Sequence, residues 1–138
     1  MFSNATKYAI RTVLFLAANE EGKQKCKVSD IAKKLEIPKP FLSKILQKLA
    51  KADLISSSKG RGGGFFLTDD NLNKTLLDII ECIDGTNVLN ECILGQPTCS
   101  DENPCPLHKY YKDIKRDLLT VISDASIGKL SIDLKEIV

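Results

Sequence analysis

Three of the five cysteines and the only histidine of this 138-residue chain lie close together. They are Cys92, Cys99, Cys105 and His108, and their spacing is C-x6-C-x5-C-x2-H. Glycine, proline, asparagine and aspartate are frequent between them, which predicts a loop rather than a helix or a strand. Thiolates and imidazole bind soft metals and iron–sulfur clusters, so these four side chains form a complete set of ligands.

The ligand spacing favours an iron–sulfur cluster over the other uses of these residues. Structural zinc sites usually take ligands in pairs about two to four residues apart, and the chain has no C-x2-C pair. Zinc nevertheless stays open as the alternative metal. A nucleophilic Cys–His pair would need a third member and oxyanion donors, which the sequence does not indicate, so we do not expect an enzyme. Ordinary reduced cysteines in a loop are the remaining alternative.

The other two cysteines, Cys26 and Cys82, stand alone in the sequence. We expect both to be free thiols in the protein interior, with Cys26 the more exposed of the two. An odd number of cysteines in a lysine-rich chain argues against a secreted disulfide scaffold, and we expect a cytoplasmic protein. The apolar run at residues 13–18 is far shorter than the roughly 18–20 residues that span a bilayer, so no membrane partner is expected.

A long helix is predicted to follow the cysteine-rich loop directly. Apolar residues recur there at spacings that alternate between four and three, which is typical of the a and d positions of a coiled coil. The pattern consists of Leu107, Tyr111, Ile114, Leu118, Val121 and Ala125. We interpret this helix as an antiparallel dimer interface, although a single helix packed on its own domain would show the same stripe.

The charges divide the chain into a basic and an acidic half. Residues 1–70 carry 13 Lys and Arg against 7 Asp and Glu, a net of +6, whereas residues 71–138 carry 7 against 11, a net of −4. A basic half joined to an acidic half is typical of a nucleic-acid-binding region attached to a sensing or assembly region.

Three helices are predicted in the basic half. After a first helix that ends near residue 19, apolar residues at positions 28, 31, 32 and 35 predict a second helix, with Ser29 as its cap. Pro38 and Pro40 then predict the start of a third helix, whose apolar stripe is at positions 42, 45, 46 and 49. The opposite face of this third helix is basic and polar.

Two short strands, at residues 54–57 and 65–68, are predicted to form a hairpin after the third helix. Four of the eight glycines lie between them, together with Lys59 and Arg61. A nucleotide-binding glycine loop is not favoured, because no Lys-Ser/Thr follows the glycines and a strand follows in place of a helix. A further helix is expected between Asn73, as its cap, and Gly85.

These elements predict a mainly α protein with a small β-hairpin: a winged helix-turn-helix followed by a long dimerisation helix. We expect a DNA-binding region at 1–70, a connecting helix and cysteine loop at 71–106, and a dimerisation helix with a C-terminal segment at 107–138. A short amphipathic piece at 132–138 closes the chain. The third helix would enter the major groove, and the hairpin would reach the flanking backbone or the minor groove. The expected DNA-binding residues are Lys39, Ser43, Lys44, Gln47, Lys48, Lys59 and Arg61.

The chain resembles the Rrf2 family of bacterial winged-helix regulators over nearly its whole length. The Lys7-Tyr8-Ala9 start of the first helix is similar to the opening of the family, and the segment KGRGGGF at 59–65 is similar to its Arg-Gly-x-Gly-Gly-Gly-Tyr wing. The three cysteines and the histidine resemble those of the cluster-binding members, with one extra residue between the first two cysteines. Those members carry a glutamate in the recognition helix where this chain has Ser43.

The resemblance implies a homodimeric transcription regulator or repressor that binds double-stranded promoter DNA. It also implies a 2Fe–2S cluster held by Cys92, Cys99, Cys105 and His108, which would sense iron–sulfur, redox or nitric oxide status. A metal-binding redox or scaffold protein that does not bind DNA is the alternative function. It would use the basic face for protein partners.

Overall fold

The computed structural model describes residues 2–87 and 89–134 of the chain. Helices dominate and the only two-stranded sheet in this described part is an antiparallel hairpin, as predicted. The elements in chain order are α1 Asn4–Ala18, α2 Val28–Leu35, α3 Lys39–Lys51, β1 Ser56–Ser58, β2 Gly64–Phe66, α4 Asp69–Leu72, α5 Leu76–Asp84, α6 His108–Asp124 and α7 Ile127–Ile132.

Helix α1 is the centre of the hydrophobic core. It begins at Ser3, whose hydroxyl accepts a hydrogen bond from the backbone N–H of Thr6 at 3.1 Å. Val13 and Leu16 are completely buried on its inner face. Helices α3, α5 and α7 all pack against α1, so the core combines residues from each of the three predicted regions.

Helices α2 and α3 form the predicted helix-turn-helix. The apolar stripe of α3 is buried as expected, and Glu36 ends α2 in the left-handed conformation with φ of 56°. The expected cap of α2 was wrong: Lys27 stands at the cap position with an extended backbone and no side-chain hydrogen bond, and Ser29 is inside the first turn. An extended backbone is usual for the residue that precedes the first helical turn, and Lys27 occupies that position directly after the bridged Cys26.

One residue between α1 and α2, Cys26, pairs with β2 of the two-stranded hairpin through an isolated bridge. Cys26 exchanges two backbone hydrogen bonds with Phe65, of 2.9 and 2.8 Å. The two paired strands are shifted from the predicted residues 54–57 and 65–68. Leu54 is instead buried in the core, and Thr68 turns away from the sheet to cap α4.

The helix expected after Asn73 is α5, and its cap is Thr75 rather than Asn73. The Thr75 hydroxyl accepts a hydrogen bond from the backbone N–H of Asp78, whose carboxylate accepts one from the backbone N–H of Thr75. Asn73 instead ends the short helix α4, which the sequence pattern did not predict. Helix α5 ends at Gly85 as expected, with φ of 89°.

Helix α6 is the predicted long helix, and α7 follows it after a cap at Ser126. Ile127, at the start of α7, is completely buried in the core. The amphipathic piece expected at 132–138 lies partly outside the described residues, which end at 134. Across the described residues, no helix combines the length and apolar character needed to cross a membrane.

Candidate DNA-binding surface and metal centre

The outer face of α3 carries the basic and polar residues that the sequence singled out. Lys39, Lys44, Gln47 and Lys48 are exposed and Ser43 is half-buried, while the opposite face is packed in the core. Among the described residues, no carboxylate lies within ion-pair distance of these three lysines. The positive charge of this face is therefore available to an external anion.

Phe41 is a surface residue of α3 that the sequence reasoning missed. It is 41% exposed in the first turn of the helix, and its ring meets the edge of Tyr8 with centroids 5.6 Å apart and planes at 84°. The sequence signal is an aromatic residue directly after Pro40 that falls outside the buried stripe. Its packing against Tyr8 holds the ring at the outer surface, beside Lys44.

The hairpin presents Lys59 and Arg61 at its exposed tip. Gly60 and Gly62 adopt φ of 85° and 76°, which residues with a side chain rarely adopt. At Gly63 a Cβ atom would lie only 2.2 Å from the carbonyl oxygen of Ser58. The glycines therefore shape the tight turn, and they leave the two cations at its outside.

Lys25 adds a third cation to the hairpin, and the sequence reasoning did not assign it there. Its Nζ lies 3.5 Å from the hydroxyl of Ser58 and 5.8 Å from the ring centroid of Phe66. The pairing of Cys26 with Phe65 places this lysine beside β1 and β2. A single paired residue has no periodicity by which a sequence pattern could reveal it.

The four candidate metal ligands lie in the segment between α5 and α6 and at the start of α6, where they form two pairs. The Sγ of Cys99 is 3.4 Å from the Nδ1 of His108. Cys92 and Cys105 are both buried, and the side chain of Cys105 is one of the groups that lower the pKa of the Cys92 thiol. No group of three or more Cys, His, Asp or Glu side chains is close enough to hold one metal ion in the described part of the chain.

The surroundings of Cys92 favour a thiolate. Hydrogen bonds lower the pKa of its thiol, chiefly one from the backbone N–H of Gln96, and their combined effect exceeds the opposing effect of burial. The N–H of Leu94 lies 3.4 Å from the sulfur, and the side chain of Cys105 and the N–H of Gly95 also contribute. Backbone donors around a sulfur are typical of thiolates that bind metal.

The two isolated cysteines have the opposite character. Burial raises the pKa of Cys26, assisted by the charge of Asp30, and burial raises the pKa of Cys82 more than Lys48 lowers it. Both thiols are free, as expected. Their expected order of exposure was wrong: Cys26 is buried, because it is paired with the hairpin, and Cys82 is half-buried.

A charged network surrounds His108. The Nε2 of its ring lies 2.8 Å from Oδ1 of Asp101, and the Nζ of Lys112 lies 3.0 and 3.1 Å from the two oxygens of the same carboxylate. The hydrogen bond with His108 and then Lys112 lower the pKa of Asp101. The sequence reasoning did not include Asp101 or Lys112 in the site.

The donor chemistry fits a soft metal or an iron–sulfur cluster, since three thiols and one imidazole are available and one thiol has a lowered pKa. The arrangement is two pairs of donors rather than one four-ligand cage. Binding of one group by all four side chains therefore requires the loop to bring the Cys92–Cys105 pair and the Cys99–His108 pair together.

A family model and the similar proteins found by comparison all indicate the same family of transcriptional regulators. The chain matches the Rrf2 family of iron-dependent transcriptional regulators over residues 2–133. A putative HTH-type transcriptional regulator of Aquifex aeolicus is 33% identical over 132 residues, which cover 94% of this chain and 90% of that protein. The HTH-type transcriptional regulator IscR of Escherichia coli is 26% identical over 124 residues, or 90% of this chain and 75% of that protein.

Solved structures share the fold. CymR, the global cysteine regulator of B. subtilis, is 20% identical with a TM-score of 0.79, and the match covers 98% of both chains. The IscR of T. potens is 20% identical with a TM-score of 0.71, over 96% of this chain and 87% of that one. The chain therefore belongs to the Rrf2 family of transcriptional regulators.

Proposed function

We propose that the chain is a homodimeric regulator that binds promoter DNA and whose affinity for DNA is set by an iron–sulfur cluster. The observation that carries this proposal is the position of His108. This candidate ligand is also the first residue of α6, so the ligand loop continues directly into the helix that we assign to the dimer interface. A change at the ligands would thereby act on the geometry of the dimer.

In this proposal α3 lies in the major groove. Ser43 and Gln47 offer hydrogen-bonding groups to base edges, and the aromatic ring of Phe41 offers an apolar contact to a thymine methyl group. The lysines around them contact phosphates and bases without any competing carboxylate in the described residues. These lysines are Lys39, Lys44 and Lys48, with Lys51 adding charge at the end of the helix.

The hairpin would contact the DNA beside the major groove. Lys59 and Arg61 are exposed at its tip, and Lys25 lies beside its strands. Because the turn is built from glycines, the backbone can approach a phosphate closely. We assign Lys59 and Arg61 to phosphate or flanking-groove contacts, which supply affinity rather than sequence preference.

The exposed stripe of α6 supports dimerisation. Leu107, Ile114 and Val121 are seven residues apart and are 40%, 59% and 62% exposed, so one apolar edge of the helix is left uncovered by residues 2–87 and 89–134. Tyr111 and Leu118 beside them are half-buried. A symmetric pair of α6 helices would bury this edge and would place two α3 helices for two half-sites of the DNA.

Cys92, Cys99, Cys105 and His108 would hold the cluster, 2Fe–2S in first place and zinc as the alternative. When bound, an iron–sulfur cluster supplies a redox-active and damage-sensitive group that reports iron and oxidant status. The lowered pKa of Cys92 supports its role as a thiolate ligand. Coupling between the cluster and DNA sites would typically be about 1–3 kcal/mol, or about 5–150-fold in affinity.

Anaerobic purification with iron and sulfide analysis tests the cluster assignment. We expect about two iron and two sulfide per chain with visible absorption, lost in Cys92→Ser and retained in the matched control Cys82→Ser. One zinc per chain without sulfide would overturn the assignment. A gel shift with DNA from upstream of the gene tests the proposed DNA binding, because the alternative redox or scaffold protein would leave that DNA unbound.

A further inference from the structure

We propose that Asp101 is a positioning residue that fixes the ring of His108 so that Nδ1 is the nitrogen available to bind the cluster, and that Lys112 holds Asp101 in place. This inference rests on the proposed function, in which His108 is a ligand. Neither Asp101 nor Lys112 would touch the bound group.

The hydrogen-bond chemistry of a neutral imidazole determines which nitrogen is free. One ring nitrogen carries a proton and the other carries a lone pair, whereas an ionised carboxylate only accepts hydrogen bonds. Nε2 of His108 lies 2.8 Å from Oδ1 of Asp101, so Nε2 carries the proton and donates it. Nδ1 is left with its lone pair, and it faces Sγ of Cys99 at 3.4 Å.

Lys112 restrains the carboxylate from the other side. Its Nζ contacts Oδ1 at 3.0 Å and Oδ2 at 3.1 Å, and it stands one helical turn after His108 on the same face of α6. Asp101 follows Cys99 by two residues. The carboxylate thus ties the cysteine loop to the first turn of α6 through two separate contacts.

The low solvent exposure of His108 allows the carboxylate of Asp101 to fix the orientation of the imidazole ring. The His108 side chain is only 10% exposed, so water competes weakly for its ring nitrogens, although Asp101 itself is 69% exposed. A carboxylate on the outer nitrogen fixes the orientation of a histidine ligand and raises its basicity, and removal of such a partner typically lowers metal affinity about 10–100-fold.

The single histidine makes the test direct. Chain labelled with ¹⁵N-histidine and kept free of cluster gives one imidazole spectrum, in which the two ring nitrogens report which of them carries the proton. We expect one tautomer, protonated at Nε2, in the unaltered chain and in Asp101→Asn, whose amide oxygen still accepts. Asp101→Ala should show a mixture of both tautomers. Lys112→Met should show a smaller fraction of the Nδ1-protonated tautomer, and the neighbouring control Glu102→Ala should show no change.

An Nδ1-protonated ring in the unaltered chain would overturn the assignment of Nδ1 as the free nitrogen. A single Nε2-protonated tautomer in Asp101→Ala would show that Asp101 does not select the tautomer, and it would overturn the positioning role. In cluster-loaded protein, Asp101→Ala should lose iron to a chelator about 10–100-fold more readily, and Asp101→Asn should largely restore retention. Equal retention by all variants would overturn the positioning role. An unaltered chain that binds no cluster would contradict the proposed function. The tautomer measurement uses cluster-free protein, so it would still test whether Asp101 fixes the ring of His108.

Discussion

Removal of the two cations at the tip of the hairpin should lower the salt dependence of DNA binding by a calculable amount. Lys59 and Arg61 are exposed and have no carboxylate partner among the described residues. Replacement by alanine in K59A/R61A keeps Gly60 and Gly62 in place, so the turn keeps its left-handed residues. The variant therefore removes charge with little effect on the fold.

The magnitude follows from counterion release. Each phosphate contact contributes about 0.9 to the slope of log affinity against log salt, so two contacts in each of two protomers contribute about 3.6. If the protein binds as the proposed dimer, the unaltered chain should therefore lose about 150-fold more affinity than the variant between 50 and 200 mM salt.

Fluorescence anisotropy with a labelled promoter fragment, recorded across this range of salt, gives both slopes. Lys109→Ala is the matched control, because it removes the same kind of charge from α6, which packs chiefly against α5. It should keep the slope of the unaltered protein. A slope for K59A/R61A equal to that of the unaltered protein would refute phosphate contact by the hairpin.

Three further changes test the fold and the assembly. Gly64→Ala would place Cβ 2.7 Å from the carbonyl oxygen of Cys26 at φ of 154°, so the free energy of unfolding in urea should fall by about 1–3 kcal/mol; an unchanged midpoint would contradict this contact. Burial raises the pKa of Asp84, but hydrogen bonds, chiefly those from the Ser3 side chain and backbone, together outweigh this effect and lower the pKa. Because these hydrogen bonds are exposed to solvent, Asp84→Asn should cost only about 0.5 kcal/mol or less at pH 7, and this difference should vanish as the pH falls through the lowered pKa; a difference that persists in acid would contradict it. Ile114→Lys on the exposed stripe should weaken dimerisation about 30-fold or more by light scattering, and an unchanged dimer would exclude this face.

Periodic features could be predicted from the sequence because helical burial imposes a regular spacing. The stripe of α3 is buried as its spacing indicates, and the glycine-rich segment forms a hairpin turn. The cap of α5 was less predictable, since Asn73 and Thr75 both suit that position and only the reciprocal bond with Asp78 decides between them.

Features built from single long-range contacts could not be predicted. Cys26 joins the hairpin through one backbone pair, so no alternation of apolar and polar residues predicts this pairing. Asp101 reaches His108 only because the loop folds back on α6. The spacing of the cysteines indicates a ligand set, but it does not indicate that Cys92 pairs with Cys105.

The affinity of one promoter fragment for cluster-loaded and cluster-free protein tests most directly whether the cluster sets the affinity for DNA. Both forms should be measured anaerobically, at the same salt concentration, on DNA from upstream of the gene. We expect the two dissociation constants to differ by about 5–150-fold, and Cys92→Ser should bind like the cluster-free form. Equal dissociation constants for the loaded and cluster-free protein would contradict control of DNA binding by the cluster.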